Sequence, residues 1–450
     1  MGRQPFGLAS PAAWLRRDGW TVTCVDVAKE KLSDAAIAGA DVVGFHLPMH
    51  TATRLAGPVV ARVRAVNPDA RLCAFGLYAP LNEAWLRSLG VHAVFGGEFE
   101  DELTRWAGTV APGPPQARTP DLTERADRVA QPSRPEVPRI HFLVPDRSTL
   151  PPLSKYATLH MPDGSRRIVG YTEASRGCKH LCRHCPVVPV YDGQFRIVPR
   201  EIVLADIASQ VAAGARHITF GDPDFFNGPT HAMRIVESLH AAHPGVTYDV
   251  TIKVEHLRRH RSLLPGLAAT GCAFVTSAVE SIDDRVLAIL DKGHTRADFV
   301  ESVDLCRAAG LTLVPTFVAF HPWLSLRDYC DLVDTIAALN LVDHVAPIQL
   351  AIRLLLPEGS RLLAVDALRR HVGAFDPVTL THRWTHPDAA VDRLHEEVSR
   401  LVGTRLAADR RTVFAEISAL AHERAGVRAP SPRPTRDRAT VPYLNEPWYC

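Results

Sequence analysis

Apolar residues recur along this chain in short continuous runs that alternate with amphipathic stretches. Near the N-terminus the apolar runs cover residues 21–27, 41–47, 71–76 and 91–95. Continuous apolar runs separated by helical stretches are typical of parallel strands in a sheet that is covered on both faces. The pattern predicts a doubly wound, Rossmann-like α/β sheet over residues 1–108, and ligands of such sheets bind beyond the carboxyl ends of the strands.

A second series of apolar runs covers residues 153–375. The amphipathic stretches between them, such as residues 199–213 and 283–290, are long enough for crossover helices. Six strand–helix units predict a partial (β/α)6 barrel, whose active site lies at the carboxyl ends of its strands. The predicted strands are residues 168–173, 217–221, 247–253, 274–279, 313–319 and 347–355.

Three further segments differ from these two units in composition. Residues 109–152 are rich in proline and predict an extended, poorly packed linker. Residues 376–423 have a helical pattern and are expected to pack on the open side of the barrel. Residues 424–450 are rich in Arg, Pro and Ser before an aromatic tip that ends at Cys450, which predicts a flexible tail.

Composition narrows the class of protein. A chain of 450 residues with 46% hydrophobic content can bury two or three cores, and its net charge of +2 gives no reason to expect nucleic acid or a membrane as a main partner. No apolar run approaches the ~18 residues of a membrane span, and residues 1–17 lack the pattern of a signal peptide. Nine scattered cysteines in such a chain favour a reducing cytoplasm over disulfides.

One short loop contains three closely spaced cysteines, Cys178, Cys182 and Cys185, in a CxxxCxxC pattern. Three thiolates on a [4Fe–4S] cluster leave one iron open for another ligand. In this spacing the usual ligand is S-adenosylmethionine (SAM). An electron from the cluster then breaks a carbon–sulfur bond of SAM and produces a carbon radical, which is chemistry of the cofactor.

Zinc is an alternative occupant of this loop. His180 or His184 could complete a Cys3His site, although structural zinc sites usually pair two distant halves and no second half follows here. A redox thiol site is a further alternative.

Polar residues recur where the predicted barrel strands end. Alternation along the third strand would send Lys253 and Glu255 to one face. Charged groups inside a barrel are costly unless they are paired or bind a ligand, so the set predicts a ligand site at the barrel mouth. Its members are Asp222, Asp224, Lys253, Glu255, Ser277, Glu280, Ser281, Gln349 and Arg353.

Structural roles remain open for several of these residues. Asp222 and Asp224 could cap the helix that follows them. Lys253 and Glu255 could form an ion pair with each other, and Arg353 could pair with Glu358.

From the cysteine loop through Arg353 the sequence resembles the radical SAM superfamily. The resemblance implies that Cys178, Cys182 and Cys185 bind the cluster. It places Asp222 and Asp224 in the family's Gly-Gly-Glu-like segment, which contacts the SAM amino group. It also places Glu280 and Ser281 in a Glu-Ser after the fourth strand, and Lys253 and Glu255 toward the SAM ribose or carboxylate. His184 stands where the family usually has an aromatic residue beside the adenine.

Residues 1–108 resemble the cobalamin-binding domain that precedes many such barrels, and Gly96-Gly-Glu-Phe-Glu100 resembles the motif that ends it. The Asp-x-His-x-x-Gly signature of a His-ligated cobalamin is absent, and His46 and His50 do not fit it. A relict or partner-binding sheet is the alternative. Because the chain lacks an apolar first strand, its start codon could be misplaced.

The whole chain resembles the CUAEP/CCAEP-tail radical SAM (seleno)proteins in residues 5–14, 292–295 and 445–450. In that subgroup the tail continues with Cys or selenocysteine, Ala, Glu and Pro. A selenocysteine codon read as a stop would end the chain at Cys450, which gives the hypothesis that the natural protein continues. The tail thiol or selenol could then act as a redox relay or nucleophile at the barrel mouth, or be a disordered terminus.

Two classes of function remain. The favoured one is a radical SAM enzyme that acts on an unidentified small molecule or peptide and could use cobalamin. Its electrons would come from a donor of flavodoxin or ferredoxin type. The alternative is a non-catalytic Fe–S or corrinoid carrier that acts through its C-terminal tail.

Overall fold

The computed structural model describes residues 2–110, 137–405, 408–428 and 441–445. Its N-terminal part has a parallel sheet of three strands in chain order: β1 (Val42–His46), β2 (Arg71–Phe75) and β3 (Ala93–Phe95). Five helices accompany the sheet: α1 (Phe6–Arg17), α2 (Asp34–Ala38), α3 (His50–Val66), α4 (Glu83–Ser88) and α5 (Glu100–Val110).

The first strand expected from the sequence is not formed. Residues 21–27, which lie within the described part of the chain, contain no strand. Their backbone groups find side-chain partners, because Thr149 Oγ1 accepts from Cys24 N and Arg16 donates to the Val22 carbonyl. These partners replace the neighbouring strand that a ladder would require.

The larger sheet curls into a half-barrel, and its seven strands follow the order β11–β10–β9–β8–β5–β4–β14, in which β4 is Thr158–His160 and β14 is Tyr443–Leu444. Its parallel strands correspond to the first five barrel strands predicted. They are β5 (Arg166–Thr172), β8 (His217–Phe220), β9 (Thr247–Thr251), β10 (Cys272–Glu280) and β11 (Leu313–Phe317). Branched and aromatic side chains such as Ile218, Val250 and Val275 are fully buried in the core that this sheet shares with its helices.

Helices follow each of these strands and, between β5 and β11, provide the crossovers of a parallel half-barrel. They are α7 (Arg200–Ala212), α8 (Pro229–Ala242), α9 (Val254–Arg259), α10 (Leu264–Ala269), α11 (Asp284–Leu290), α12 (Arg296–Ala308) and α13 (Leu326–Ala338).

The sixth predicted strand, residues 347–355, is wrong over most of its length. It begins with a 3-10 helix, Pro347–Ala351, and pairs with its neighbour only at one bridge, between Phe320 and Arg353. The Gln349 side chain accepts the hydrogen bond of Phe317 N at 3.2 Å, and so occupies a donor that a sixth strand would use. Five parallel strands and this bridge form the half-barrel.

The segments that flank the half-barrel pack against it. Residues 111–136 of the predicted linker lie outside the described residues, but Arg147 in its later part forms an ion pair with buried Asp206 at 2.9 Å. The C-terminal region contains α14 (Asp366–Arg369), β12 (Val372–Asp376), β13 (Thr381–Trp384), α15 (Ala389–Thr404) and α16 (Arg410–Ala425). Helix α16 packs against α13 and α15.

The predicted tail contributes a strand. β14 (Tyr443–Leu444) pairs antiparallel with β4 (Thr158–His160), which itself pairs antiparallel with β5. Leu444 is buried in a cluster with Leu159, Val169 and Phe274. Residues 429–440 and 446–450 of the predicted tail lie outside the described residues. No helix in the described ranges is long and apolar enough to cross a membrane.

Candidate active site

The cysteine loop follows β5, at the carboxyl ends of the barrel strands. It lies inside a hairpin in which β6 (Ser175–Gly177) pairs antiparallel with β7 (Phe195–Ile197), and the short helix α6 (Val187–Tyr191) returns the chain. Gly177 has φ of +74°, and a Cβ there would lie 2.5 Å from the Gln194 carbonyl oxygen. Only glycine therefore fits immediately before the first cysteine.

The three cysteines are at least half-buried and are free thiols. Burial raises the pKa of Cys178 to about 11 and that of Cys185 to about 12, so both are protonated near neutral pH until a metal displaces the protons.

The arrangement of the cysteines bears on the choice between a cluster and zinc. Among the described residues, one group of three His, Cys or carboxylate ligand atoms lies within 4.8 Å of one another, and it is His180, Asp224 and His256. At least one pair of the three cysteine sulfurs is therefore more than 4.8 Å apart, whereas ~3.8 Å is expected between sulfurs on one tetrahedral zinc ion. In a cluster each thiolate binds a separate iron, so the sulfurs need not lie that close together.

His180, between the first two cysteines, lies at the centre of one polar network. Lys253 Nζ is 3.1 Å from its Nδ1, and Asp224 Oδ2 is 3.4 Å from its Nε2. Asp224 Oδ2 also lies 2.7 Å from His256 Nδ1. Although burial opposes ionisation, the contacts with His180 and His256 lower the pKa of Asp224 to about 2.

Lys253 and Glu255 reach this network from positions that the sequence did not predict. Strand β9 ends at Thr251, so Lys253 precedes helix α9 and Glu255 lies in its first turn. The expected strand alternation is therefore wrong. Lys253 Nζ and Glu255 Oε2 are 3.5 Å apart, and Glu255 Oε2 is 3.7 Å from His180 Nδ1.

His184, beside the third cysteine, lies at the centre of a second network. Its Nε2 is 3.1 Å from Glu280 Oε1, and Lys292 Nζ is 3.5 Å from the same oxygen. Glu280 ends β10 with φ of +69°, a conformation that costs a non-glycine residue about 1–2 kcal/mol. Burial opposes ionisation of Glu280, but Lys292 and then His184 lower its pKa to about 2.

Lys292 and His294 lie beside this network but were not predicted as site residues from the sequence. Gly293 between them has φ of +71°, and a Cβ there would lie 3.1 Å from Glu255 Oε2. Burial, with Lys292 and Lys253 nearby, lowers the pKa of His294 to about 4, so its ring is neutral. The Lys-Gly-His sequence, which begins two residues after α11, was the feature of the sequence from which these site residues could have been predicted.

Other predicted site residues have partners within the protein. Asp222 accepts hydrogen bonds from Ala174 N at 2.9 Å and Ser175 Oγ at 2.6 Å, and burial raises its pKa to about 6. Ser281 Oγ accepts from Asp283 N, whereas buried Ser277 Oγ has no hydrogen-bond partner within the described chain.

The suggested pairing of Arg353 with Glu358 is wrong. Arg353 pairs with Asp392 at 2.7 Å and stacks on Trp384, with its guanidinium carbon 3.7 Å from the ring centre. Glu358 instead contacts His382 at 3.0 Å.

A cavity of about 3170 Å³ lies between the three-stranded sheet and the barrel mouth. Residues 42–49 and Gly76 line it from the sheet. From the barrel it is lined by His184, Cys185, Glu280, Gln349 and Arg353. Its volume exceeds the ~300–1,000 Å³ of ordinary small-molecule pockets.

The two N-terminal histidines have partners near this cavity. His46 stacks on Phe75 and packs closely on Gly7, and burial lowers its pKa to about 4. His50 Nε2 lies 2.6 Å from the Thr379 carbonyl oxygen.

Comparison with protein families identifies one domain in the chain. Residues 172–336 match the family model described as Radical SAM superfamily. A tRNA-2-methylthio-N(6)-dimethylallyladenosine synthase from Alkalilimnicola ehrlichii is 26% identical over 209 residues, which are 43% of this chain and 45% of that protein. The ribosomal protein uS12 methylthiotransferase RimO from Geobacter sulfurreducens is 33% identical over 92 residues, 18% of this chain and 20% of that protein. The chain therefore spans less than half the length of these relatives.

Solved structures share the fold over more of the chain. The cobalamin-dependent S-adenosylmethionine radical enzyme OxsB, with aqua-cobalamin bound, matches with a TM-score of 0.69 at 13% identity, over 94% of this chain and 69% of that chain. The radical S-adenosylmethionine methyltransferase TsrM from Kitasatospora setae matches with a TM-score of 0.56 at 18% identity, over 75% of this chain and 69% of that chain. The domain match and the enzymes among the relatives indicate that the chain is an enzyme with a radical SAM domain.

Proposed function

We propose that the protein is a radical SAM enzyme in which Cys178, Cys182 and Cys185 hold a [4Fe–4S] cluster. When bound, such a cluster supplies the electron that splits a carbon–sulfur bond of SAM. The observation that carries the proposal is the position of these three cysteines, which follow β5 in one short loop at the mouth of a half-barrel. The substrate is proposed only as a small molecule or peptide that enters the cavity.

The residues that line the cavity are the ones we propose to contact SAM or the substrate. His184 is held by Glu280, and its ring offers a stacking surface beside Cys185. Arg353 is held by Asp392 and by Trp384, so its orientation is fixed before a ligand binds. Gln349 lies on the 3-10 helix that replaces a sixth strand.

Anaerobic reconstitution tests this function. The wild-type protein should bind about four irons per chain and form 5′-deoxyadenosine from SAM only when dithionite is present. A Cys182→Ala variant should do neither. A protein that keeps its cluster but never consumes SAM would contradict the proposal and support an Fe–S carrier.

We also propose that the cavity accommodates a corrinoid beside SAM. Its volume is sufficient for more than one small ligand, and it lies at the carboxyl ends of the strands in the N-terminal sheet, where such sheets bind ligands. The fold matches to OxsB, which is cobalamin-dependent, and to TsrM, which has been solved with cobalamin bound, support this proposal. Because His46 is packed between Phe75 and Gly7, we expect binding without an axial histidine from this position.

Gel filtration after incubation with hydroxocobalamin tests the corrinoid proposal. One corrinoid per chain should co-elute with the protein, and a Cys182→Ser variant should retain it, since the corrinoid is proposed to lie against the N-terminal sheet whereas Cys182 belongs to the cysteine loop. Elution of protein free of corrinoid would contradict the proposal while leaving the SAM reaction untouched.

A second candidate function, a redox or carrier role of the C-terminal tail, has one observation in its favour. Because β14 and β5 are both antiparallel to β4, the tail strand runs in the direction of the barrel strands, and Asn445 lines the cavity. Membership of the CUAEP/CCAEP-tail subgroup is proposed on the resemblance of residues 5–14, 292–295 and 445–450. A Cys450→Ser variant that retains SAM cleavage but loses product formation would support this role, and full product formation would exclude it.

A further inference from the structure

The segment that follows β8 runs along the cysteine loop and contacts it at three places. The first contact is made by Asp222. Its two carboxylate oxygens accept from Ala174 N at 2.9 Å and from Ser175 Oγ at 2.6 Å. Asp222 thus holds the chain where it enters β6, three residues before Cys178.

Asp224 makes the second contact, with His180 in the middle of the loop. Its own orientation is fixed, because Oδ1 accepts from Phe226 N at 3.1 Å and Oδ2 lies 2.7 Å from His256 Nδ1. Oδ2 is 3.4 Å from His180 Nε2. Asp224 therefore connects the loop to helix α9 through two imidazole rings.

The proton on His180 can be assigned from its other neighbour. The Lys253 ammonium, 3.1 Å from Nδ1, can only donate, so Nδ1 accepts and a neutral ring carries its proton on Nε2, toward Asp224. A protonated Nε2 has no lone pair for a metal ion. Within the group of His180, Asp224 and His256, Asp224 Oδ2 thus makes close ion-pair contacts, at 3.4 Å to His180 Nε2 and 2.7 Å to His256 Nδ1.

Asn227 makes the third contact and brackets Cys178. Its Oδ1 accepts from Lys179 N at 3.3 Å, and its Nδ2 donates to the Gly177 carbonyl at 3.4 Å. Lys179 Nζ donates to the Asn227 carbonyl at 3.3 Å. The residues on both sides of Cys178 are thereby held by one side chain.

These three side chains are buried against the cysteine loop. Asp222, Asp224 and Asn227 are 2%, 2% and 4% exposed. We infer that Asp222, Asp224 and Asn227 are positioning residues that fix the cysteine loop in its ligand-binding conformation before a cluster is bound. They act through the loop and do not touch SAM. The inference rests on the proposed function only for the identity of the cluster.

Hydrogen–deuterium exchange in the metal-free protein tests the positioning role directly. In Asp224→Asn and Asn227→Ala variants, amides of residues 175–185 should exchange about fivefold faster or more, as expected for the loss of one hydrogen bond. Asp409 is a matched control, since it caps α16 through Thr412 N and has no contact with the loop among the described residues. Asp409→Asn should leave this exchange unchanged. If Asp224→Asn does not fold, Asn227→Ala decides the test, because it alters no charge.

Iron content and SAM affinity separate positioning from direct SAM binding. Positioning predicts that both variants take up less iron under limiting reconstitution, while SAM affinity per loaded cluster stays within about twofold of wild type. Wild-type exchange and wild-type iron content, with SAM affinity reduced tenfold, would overturn the inference and make Asp224 a SAM ligand. Because exchange is measured without metal, failure of the cluster proposal would not alter that result.

Discussion

Replacing Glu280 with glutamine removes a charge and keeps the shape of the side chain. Glu280 Oε1 is shared by Lys292, 3% exposed, and His184. The variant leaves the Lys292 ammonium buried opposite a neutral amide. Since glutamine also lacks glycine's freedom at φ of +69°, backbone strain is the same in both proteins.

The size of the effect follows from the pKa of Glu280. Its fall from 4.5 to about 2 in the folded protein corresponds to about 3 kcal/mol of stability, at about 1.4 kcal/mol per pH unit. Breaking a buried ion pair by removing one partner costs about 3–5 kcal/mol, which agrees. Because the folded-state pKa is lowered, this stability is fully present above about pH 4.5 and is lost as the pH falls toward 2.

Anaerobic urea unfolding of the metal-free protein measures this effect. Glu280→Gln should lower the unfolding free energy by about 3 kcal/mol at pH 7, and the difference from wild type should shrink below pH 4.5. The control Glu83→Gln, in an exposed pair with Arg87, should cost less than about 0.5 kcal/mol. A loss below about 0.5 kcal/mol for Glu280→Gln, or one independent of pH down to 3.5, would refute the reasoning.

Three further substitutions test other parts of the site. Cys182→Ser should reduce iron from about four to below about one per chain with unchanged far-ultraviolet circular dichroism; retained iron would contradict its role as a ligand. The buried Arg176 guanidinium contacts the carboxylates of Glu98, Glu100 and Glu173 at 2.7–3.1 Å, so Arg176→Met should lower the unfolding free energy by about 3–5 kcal/mol. The control Arg105→Met, which breaks an exposed ion pair, should lower it by less than ~1 kcal/mol. Equal losses of unfolding free energy in the two variants would contradict this prediction. In Gly177→Ala the added methyl group would collide with the Gln194 carbonyl oxygen, whereas in the control Gly164→Ala, at φ of +83°, it has open space. Gly177→Ala should therefore lower the unfolding free energy by more than the ~1 kcal/mol expected for Gly164→Ala. Equal melting temperatures of the two variants would argue against a close approach at Gly177.

The sequence predicted the parallel strands because burial on both faces imposes continuous apolar runs. Strands β8 and β11 begin at the predicted residues, His217 and Leu313. The prediction failed where a side chain took the place of a neighbouring strand. The Gln349 side chain accepts the hydrogen bond of Phe317 N where a sixth strand was expected, and Thr149 Oγ1 accepts that of Cys24 N where a first strand was expected. Such exchanges depend on tertiary contacts that no local pattern records.

The candidate site was predictable where it lies in one short segment. The cysteine loop and Glu280 were selected from motif and position, but Lys292 and His256 were not, because their roles depend on contacts across separate elements. Lys253 and Glu255 were selected for a strand geometry that the structure does not have, and they meet at His180 through a helix start instead. The residues of the site were thus easier to predict than the helices and strands on which they lie.

Mössbauer spectroscopy of protein reconstituted with ⁵⁷Fe tests most directly whether three cysteines hold a cluster with one open iron. We expect a [4Fe–4S] spectrum in wild-type protein in which SAM shifts the signal of one iron out of four. We also expect the Cys182→Ser variant to lose this spectrum. Four irons that do not respond to SAM, or tight binding of a single zinc ion at Cys178, Cys182 and Cys185, would contradict it.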